Sequence, residues 1–392
     1  MKILYYSPHP TVNYSAPSGP GTHIREVVHA FEAHGHEVVR LICGGEKNVA
    51  QGTIQFKRSR IKQFIPSYVW QSLKDYQLKR TDNHNRKWLE GQIIKDKPDL
   101  IYERSYYLMR SGYETAQKFK IPYFCEINAP YPEEKLQMEG NSFFRKESYR
   151  VESEQITIAD SVFTVSTAMR DYLISQSGGN GDKIHVTPNA VNKETVVVSE
   201  HRIDQLRNQF DIRANDKVIG FVGSIFPYHG VDLLLEAFNQ LMEKGFQDCK
   251  LLIVGDGEIL PALKDYAERN IEKGKAIFTG NVPHKEVYNY ISLMDIAVMA
   301  RSNWYGSPVK IFEYGAMNKT IIAPDVIPVQ DVMVHGRHGM LIKDSTDELL
   351  KAIEYLIAHP EEAKSMANTF HHKVMNEHTW YQTASRILSE VK

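Results

Sequence analysis

Lys310 and Glu313 stand three residues apart in Ser307-Pro-Val-Lys-Ile-Phe-Glu-Tyr314. The run opens like a helix, with the Ser307 hydroxyl at the N-cap and Pro308 at the first helical position. A lysine in a first turn opposes the helix dipole, so Lys310 makes sense where an anion shares that N-terminus. Glu313 falls on the same face one turn deeper, where a carboxylate would accept two hydrogen bonds from a ribose diol. The competing reading is an i,i+3 ion pair, worth only about 0.2–0.5 kcal/mol. A second loop, Phe221-Val-Gly-Ser-Ile-Phe-Pro-Tyr-His-Gly230, joins an apolar run to a helical one. Gly223 and Gly230 permit close backbone approach. Ser224 offers a hydroxyl and His229 an imidazole donor, the stronger if protonated beside a diphosphate. A plain strand-to-helix turn with a surface histidine is the alternative.

Three further loops carry less specific signals. Val254-Gly-Asp-Gly257 reads as a tight strand-to-helix turn. Thr279-Gly-Asn-Val-Pro283 would offer backbone, at Val282 above all, to a nucleobase edge, or be a simple turn. Ser18-Gly-Pro-Gly-Thr22, with Gly21, would face phosphates or a second substrate. Glu103 and Arg104 end one apolar run, and Glu126 and Asn128 end the next. Polar residues at the ends of parallel strands point into the ligand crevice of such sheets, although Glu103 and Arg104 would also serve as a structural ion pair. Asp-x-Asp, a pair suited to holding a divalent ion on a diphosphate, occurs nowhere. Charge neutralisation then falls to Lys310, His229 and helix N-termini, so no metal and no other cofactor is expected.

These loops need elements to position them. Short apolar runs alternate with amphipathic stretches through the chain. Strands are expected at 2–7, 37–42, 100–103, 123–127, 161–165 and 183–187, with helices at 23–34, 114–120, 144–159 and 167–176. The pattern restarts with strands at 217–223, 250–254, 276–279, 296–299 and 320–323. Helices are expected there at 231–244, 260–269, 284–294, 309–317 and 346–358. This alternation indicates α/β architecture with parallel sheets covered on both faces. The domain change is placed in the polar stretch 190–216, giving an N-terminal domain over 1–190 and a C-terminal one over 191–375. A helical segment over 376–392 would pack back on the first.

The 392 residues suit two or three domains, and 42% apolar with 24% charged residues is an ordinary globular balance. A net charge of −1 gives no electrostatic case for nucleic acid. Three widely spaced cysteines suit a reducing compartment. The opening MKILYYSPHP lacks the apolar stretch of a secretion signal and reads as a buried strand. No apolar run approaches a membrane span of roughly 18 residues. A cytoplasmic protein is therefore expected. Residues 57–90 hold nine Lys or Arg against three acids, interleaved with Ile61, Phe64, Ile65, Tyr68, Val69, Trp70 and Leu73. They form either a basic element resting on anionic lipid, at the inner membrane surface, or an ordinary pair of surface helices.

Taken in order, these motifs resemble the retaining GT-B glycosyltransferases of family 4, over nearly the whole chain. The resemblance rests on Tyr102-Glu-Arg104, Glu126-Ile-Asn128, Pro188-Asn189-Ala190-Val191, Val222-Gly-Ser, Tyr228-His-Gly-Val231, Val254-Gly-Asp-Gly-Glu258, Thr279-Gly280 and the Ser307–Tyr314 run. It implies two Rossmann-like doubly wound domains facing across a cleft, the N-terminal one binding acceptor and the C-terminal one binding donor. It further implies that Lys310 holds the donor diphosphate and Glu313 the ribose, and that Ser307, Val309 and nearby backbone contact the sugar. Ser224 and His229 stand where many members carry Arg and Lys. Tyr305 stands where many carry a first Glu, and Asn128 where a His is common. Glu126 is then expected to orient the acceptor or act as base, together with Asn128. The implied activity is transfer from a UDP-sugar, or else a GDP-sugar, to a glycan, lipid-linked or small-molecule acceptor. The alternatives are a non-catalytic partner subunit and a sugar-nucleotide epimerase or hydrolase.

Overall fold

A computed structural model of the chain describes residues 1–15, 19–44, 66–179 and 181–391. Ser18 and residues 57–65 of the basic stretch thus lie outside the described residues. The chain divides into two compact units, Met1–Pro188 with Tyr381–Lys392, and Asn189–Trp380.

The first unit is a six-stranded parallel sheet. Its strands are β1 (Lys2–Ser7), β2 (Glu37–Ile42), β3 (Leu100–Arg104), β4 (Tyr123–Glu126), β5 (Ser161–Thr164) and β6 (Ile184–Val186), in the order β2-β1-β3-β4-β5-β6. Ile3 to Tyr6 are all buried, as a strand covered on both faces requires. Helices α1 (Gly19–Ala33), α2 (Ser67–Asp96), α3 (Ser111–Phe119), α4 (Tyr131–Glu139), α5 (Arg145–Ile158) and α6 (Thr167–Ser177) connect them. The described part of the basic stretch lies in one 30-residue helix, α2. Its buried stripe begins with polar groups, Ser72, Asp75, Asp82 and Asn85, before Leu89 and Ile93. Asp82 accepts from the backbone N–H groups of Arg110 and Ser111, where α3 begins. Lys74 and Lys79 pair with Glu139 and Glu147 at 2.9 and 2.8 Å, and Arg86 pairs with Glu114. No helix among the described residues is long and apolar enough to cross a membrane.

The second unit opens with α7 (Glu200–Gln209). Its strands are β7 (Lys217–Val222), β8 (Cys249–Val254), β9 (Ala276–Phe278), β10 (Ile296–Val298), β11 (Thr320–Pro324) and β12 (Met340–Ile342), ordered β12-β11-β10-β7-β8-β9. Side chains alternate between two cores: Ile219, Phe221, Leu251 and Ile253 face one, and Val218, Val222, Leu252 and Val254 the other. Helices α8 (Val231–Glu243), α9 (Leu260–Asn270), α10 (Val287–Ser292), α11 (Val309–Ala316), α12 (Ile327–Gln330), α13 (Thr346–Ala358) and α14 (Pro360–Glu377) cover the faces. Strand order reverses between β7 and β10, and doubly wound sheets bind ligands at that reversal. At the far end of this unit Val191 bridges Thr379, with Val191 N–H donating to His378 O (3.0 Å) and Trp380 N–H to Val191 O (3.1 Å). The last helix, α15 (Trp380–Leu388), carries Tyr381 against His34 of the first unit, ring centroids 3.9 Å apart.

Candidate functional site

In the second unit β7 ends at Val222, whose N–H donates to Tyr314 Oη at 2.9 Å and so ties α11 to the strand end. Gly223 follows at φ 138°, and an added Cβ there would overlap the Lys310 side chain. Gly255, at the end of β8, has φ 134° and faces the backbone of Gly223 just as closely. Only glycine fits either position.

Lys310 is the second residue of α11. Its Nζ lies 3.2 Å from His229 Nε2 and 5.3 Å from the Phe221 ring centroid. Burial pulls the ammonium down to about 8, partly opposed by Glu313. His229 sits on a short turn, with Nδ1 2.5 Å from the Ser224 carbonyl. A carbonyl only accepts, so Nδ1 carries the hydrogen and Nε2 accepts from Lys310. Burial, then the Lys310 charge, lowers His229 to about 4. The imidazole is therefore neutral here, with Nε2 taken by Lys310, where the sequence reading expected it to donate to a ligand. Glu313 is raised by burial, against the pull of His284 and Lys310.

Ser307 is buried and does not cap the helix: Pro308 is the N-cap and Val309 the first helical residue. The Ser307 hydroxyl accepts from Asn189 N–H (3.1 Å), and its carbonyl accepts from Asn189 Nδ2 (2.6 Å). Without a side-chain cap, the first N–H groups of α11 stay available to an anion. Ser224 is exposed. Val282 packs against the core beside the turn at Gly280, whose carbonyl accepts from Gly255 N–H at 2.9 Å. Arg301, unmarked in the sequence, fastens the neighbouring loops. Its Nε donates to both Asp344 carboxylate oxygens at 2.8 and 2.9 Å, and its Nη1 to Pro227 O at 3.1 Å.

In the first unit the strand-end residues converge on Glu126. Its Oε1 is 2.6 Å from His23 Nε2 and 2.6 Å from Arg104 Nη1, and Tyr102 Oη donates to Oε2 at 2.7 Å. Asn128 Nδ2 also donates to Oε1. Burial would raise this carboxyl, but His23 and Arg104 outweigh it and hold it at about 2. A carboxylate so saturated with donors stays ionised near neutrality, which favours the orienting part expected of Glu126 over that of a base. The reading of Glu103 with Arg104 as an ion pair gives way as well. Arg104 pairs with Glu126, while Glu103 takes the Tyr123 hydroxyl at 2.6 Å and burial pushes it up to about 8. His23 belongs to this cluster although the sequence reading passed over it. Its position two residues after Gly21, in the first turns of α1, was the available signal. Asn128 Oδ1 is buried and makes no hydrogen bond among the described residues.

Comparison with known proteins agrees with this architecture. Residues 17–195 match the family described as Glycosyltransferase Family 4, and residues 216–359 match Glycosyl transferases group 1. An uncharacterized glycosyltransferase of Methanocaldococcus jannaschii, MJ1069, is 23% identical over 49% of this chain and 48% of its own. The alpha-maltose-1-phosphate synthase of Mycolicibacterium smegmatis is 20% identical over 74% of this chain and 77% of its own. The chain thus spans about half the length of the first relative and about three quarters of the second. Among solved structures, Anabaena Alr3699/HepE in complex with UDP superposes with a TM-score of 0.72 at 16% identity, covering 99% of both chains. The same protein has been solved with UDP-glucose, at a TM-score of 0.70 and 18% identity over 100% of both chains. With two parallel doubly wound sheets and family matches in both halves, the chain belongs to the group 1 glycosyltransferases and is a glycosyltransferase of the GT-B type.

Proposed function

We propose that the chain transfers a sugar from a nucleotide diphosphate sugar to a glycan, lipid-linked or small-molecule acceptor, retaining anomeric configuration and requiring no metal ion. A UDP-sugar is the first choice, since Alr3699/HepE has been solved with UDP and UDP-glucose. A GDP-sugar is the second. The observation that carries this reading is the Lys310 ammonium, packed over Gly223 and against His229 at an uncapped helix N-terminus. Drawing a cation partly out of water against a neutral imidazole is costly unless an anion compensates it, and a diphosphate would do so. Glu313 would then hold the ribose, and Val282 backbone the base edge.

In the transfer, the bond from the anomeric carbon to the diphosphate oxygen breaks, and its electron pair stays on that oxygen. The acceptor hydroxyl attacks on the same face and passes its proton to the departing oxygen. Lys310 and the α11 N–H groups stabilise the leaving charge. In the first unit, Asn128 and Glu126 help to align the acceptor, with Glu126 fixing Asn128, His23 and Arg104. A non-catalytic partner subunit is the second reading, favoured by Tyr305 in the slot where the family resemblance implies a Glu. An epimerase or hydrolase on this fold is the third, and would form product without any acceptor.

The same reading takes the protein as cytoplasmic, with the first unit touching the inner membrane surface. Tyr68, Leu73 and Tyr76 of α2 are exposed, and exposed Phe143 meets Tyr68 edge-on at 5.4 Å. Calorimetry with UDP, GDP and their sugars in EDTA tests the donor reading. Tight binding of one nucleotide in EDTA is expected, and binding of none would overturn it.

A further inference from the structure

We propose that Trp304 is the stacking platform for the pyranose of the donor, an assignment that rests on the donor-site reading of Lys310 and Glu313. Along α11 the ribose partner, Glu313, lies one turn deeper than the phosphate partner, Lys310. A nucleotide laid along this face therefore projects its sugar the other way, towards the residues that precede the helix. These form the loop between β10 and α11.

That loop is built rather than slack. Arg301 pins its start to Asp344 and to the Pro227 carbonyl. Asn189 pins Ser307 at its end. Between them, Asn303 Oδ1 accepts from Tyr305 N–H (3.3 Å) and Gly306 N–H (2.6 Å). A Cβ at Gly306 would lie 2.8 Å from that oxygen, so a larger residue there would displace the Asn303 side chain. On this braced turn Trp304 stays 43% exposed, its ring edge-to-face with Tyr305 at 5.2 Å.

The loop that carries this half-exposed indole runs from the Pro227 carbonyl, on the His229 turn, to the N-terminus of α11. The indole suits a ligand with an apolar face. The C–H edge of a pyranose is such a face, and the negative π-surface of indole meets it favourably. Trp304 then supplies by stacking what a carboxylate in the Tyr305 slot would supply by hydrogen bonds.

The test is calorimetric titration of the full chain with UDP, UDP-glucose, UDP-galactose and UDP-N-acetylglucosamine, in wild type, Trp304→Ala and Trp304→Phe. Trp304→Ala is expected to weaken the preferred UDP-sugar about tenfold while UDP changes by less than about twofold, with Trp304→Phe between. Unchanged UDP affinity also shows that the variant is folded. Equal weakening of UDP and UDP-sugar, or no weakening of either, overturns the assignment and leaves the donor site standing. If the wild type binds UDP but none of the sugars, the assignment also falls. If it binds none of the four, the assignment falls together with the choice of UDP as the donor nucleotide.

Discussion

Lys310 runs across the bare α-carbon of Gly223, filling the volume that any other side chain at 223 would take. The two residues are 87 positions apart, yet each dictates the other. The φ of 138° at Gly223 excludes L-residues, and the missing Cβ is what lets the ammonium reach His229. A cation is thereby delivered to the point where strand order reverses.

Gly223→Ala should therefore act like a binding-site mutation although it removes no functional group. The added methyl displaces Lys310 and strains the backbone, at a cost of about 1–3 kcal/mol in stability. UDP affinity should fall by about tenfold or more, approaching the loss from Lys310→Ala. Paired calorimetry and thermal unfolding would check this. Wild-type affinity in Gly223→Ala would place the phosphate elsewhere.

The Lys310 ammonium gives UDP binding a pH limb. With Lys310 at about 8 in the free protein, an anion that needs its charge binds fully below that pH. Affinity then declines as pH rises through it, and binding takes up protons on the alkaline side. Lys310→Arg should move the limb beyond the accessible range, because guanidinium keeps its proton. Titrations between pH 6 and 10 in buffers of different ionisation enthalpy would read both effects.

Glu126 predicts a stability effect in the first unit. Glu126→Gln leaves Arg104 and His23 facing a neutral amide inside the protein, and breaking a buried pair from one side costs about 3–5 kcal/mol. In the wild type the folded carboxyl, at about 2, lies below its ordinary 4.5. Its contribution is thus fully present above pH 4.5 and lost as pH falls towards 2. Denaturant unfolding of both proteins at pH 7 and pH 3 should show the gap closing in acid.

Glu103 has the opposite sign. Burial raises it to about 8 from an ordinary 4.5, so the protonated acid is the native form at neutral pH. Its stabilising share is complete below pH 4.5 and disappears as pH rises through 8. Glu103→Gln keeps the shape and neutrality of that acid, and should cost little at pH 6 but exceed the wild type in stability at pH 9. Unfolding midpoints at the two pH values decide it. The adjacent Gly112, where a Cβ would overlap the Glu103 carboxyl, should tolerate no Ala.

The alternation of strands and helices was readable because both faces of each sheet are covered. Runs such as Val218–Val222 are then apolar throughout, although their side chains go to two different cores. Where burial is polar the reading failed. The apolar inner face expected of the basic stretch is not found on α2, where Ser72, Asp75, Asp82 and Asn85 occupy the buried stripe. Helix α14 was not read from the sequence, although Pro360 stands at its first position, where proline starts a helix. In the site, Lys310 opposing a helix dipole was a local anomaly and so was legible. The partnership of His23 with Glu126 spans 103 residues and shows only once β4 is laid in the sheet. Asn189 was read as part of a motif, but nothing local announced that it would occupy the Ser307 hydroxyl.

The Val191–Thr379 bridge carries a consequence for construction. The second unit leaves and rejoins the first through two strands of chain clasped side by side. Topologically it is an insert whose seams already touch. Residues 189–380 could then be excised, or exchanged for the matching cassette of a relative, without leaving two distant loose ends to be rejoined. A donor preference could be grafted from one relative to another by moving that cassette across the clasp.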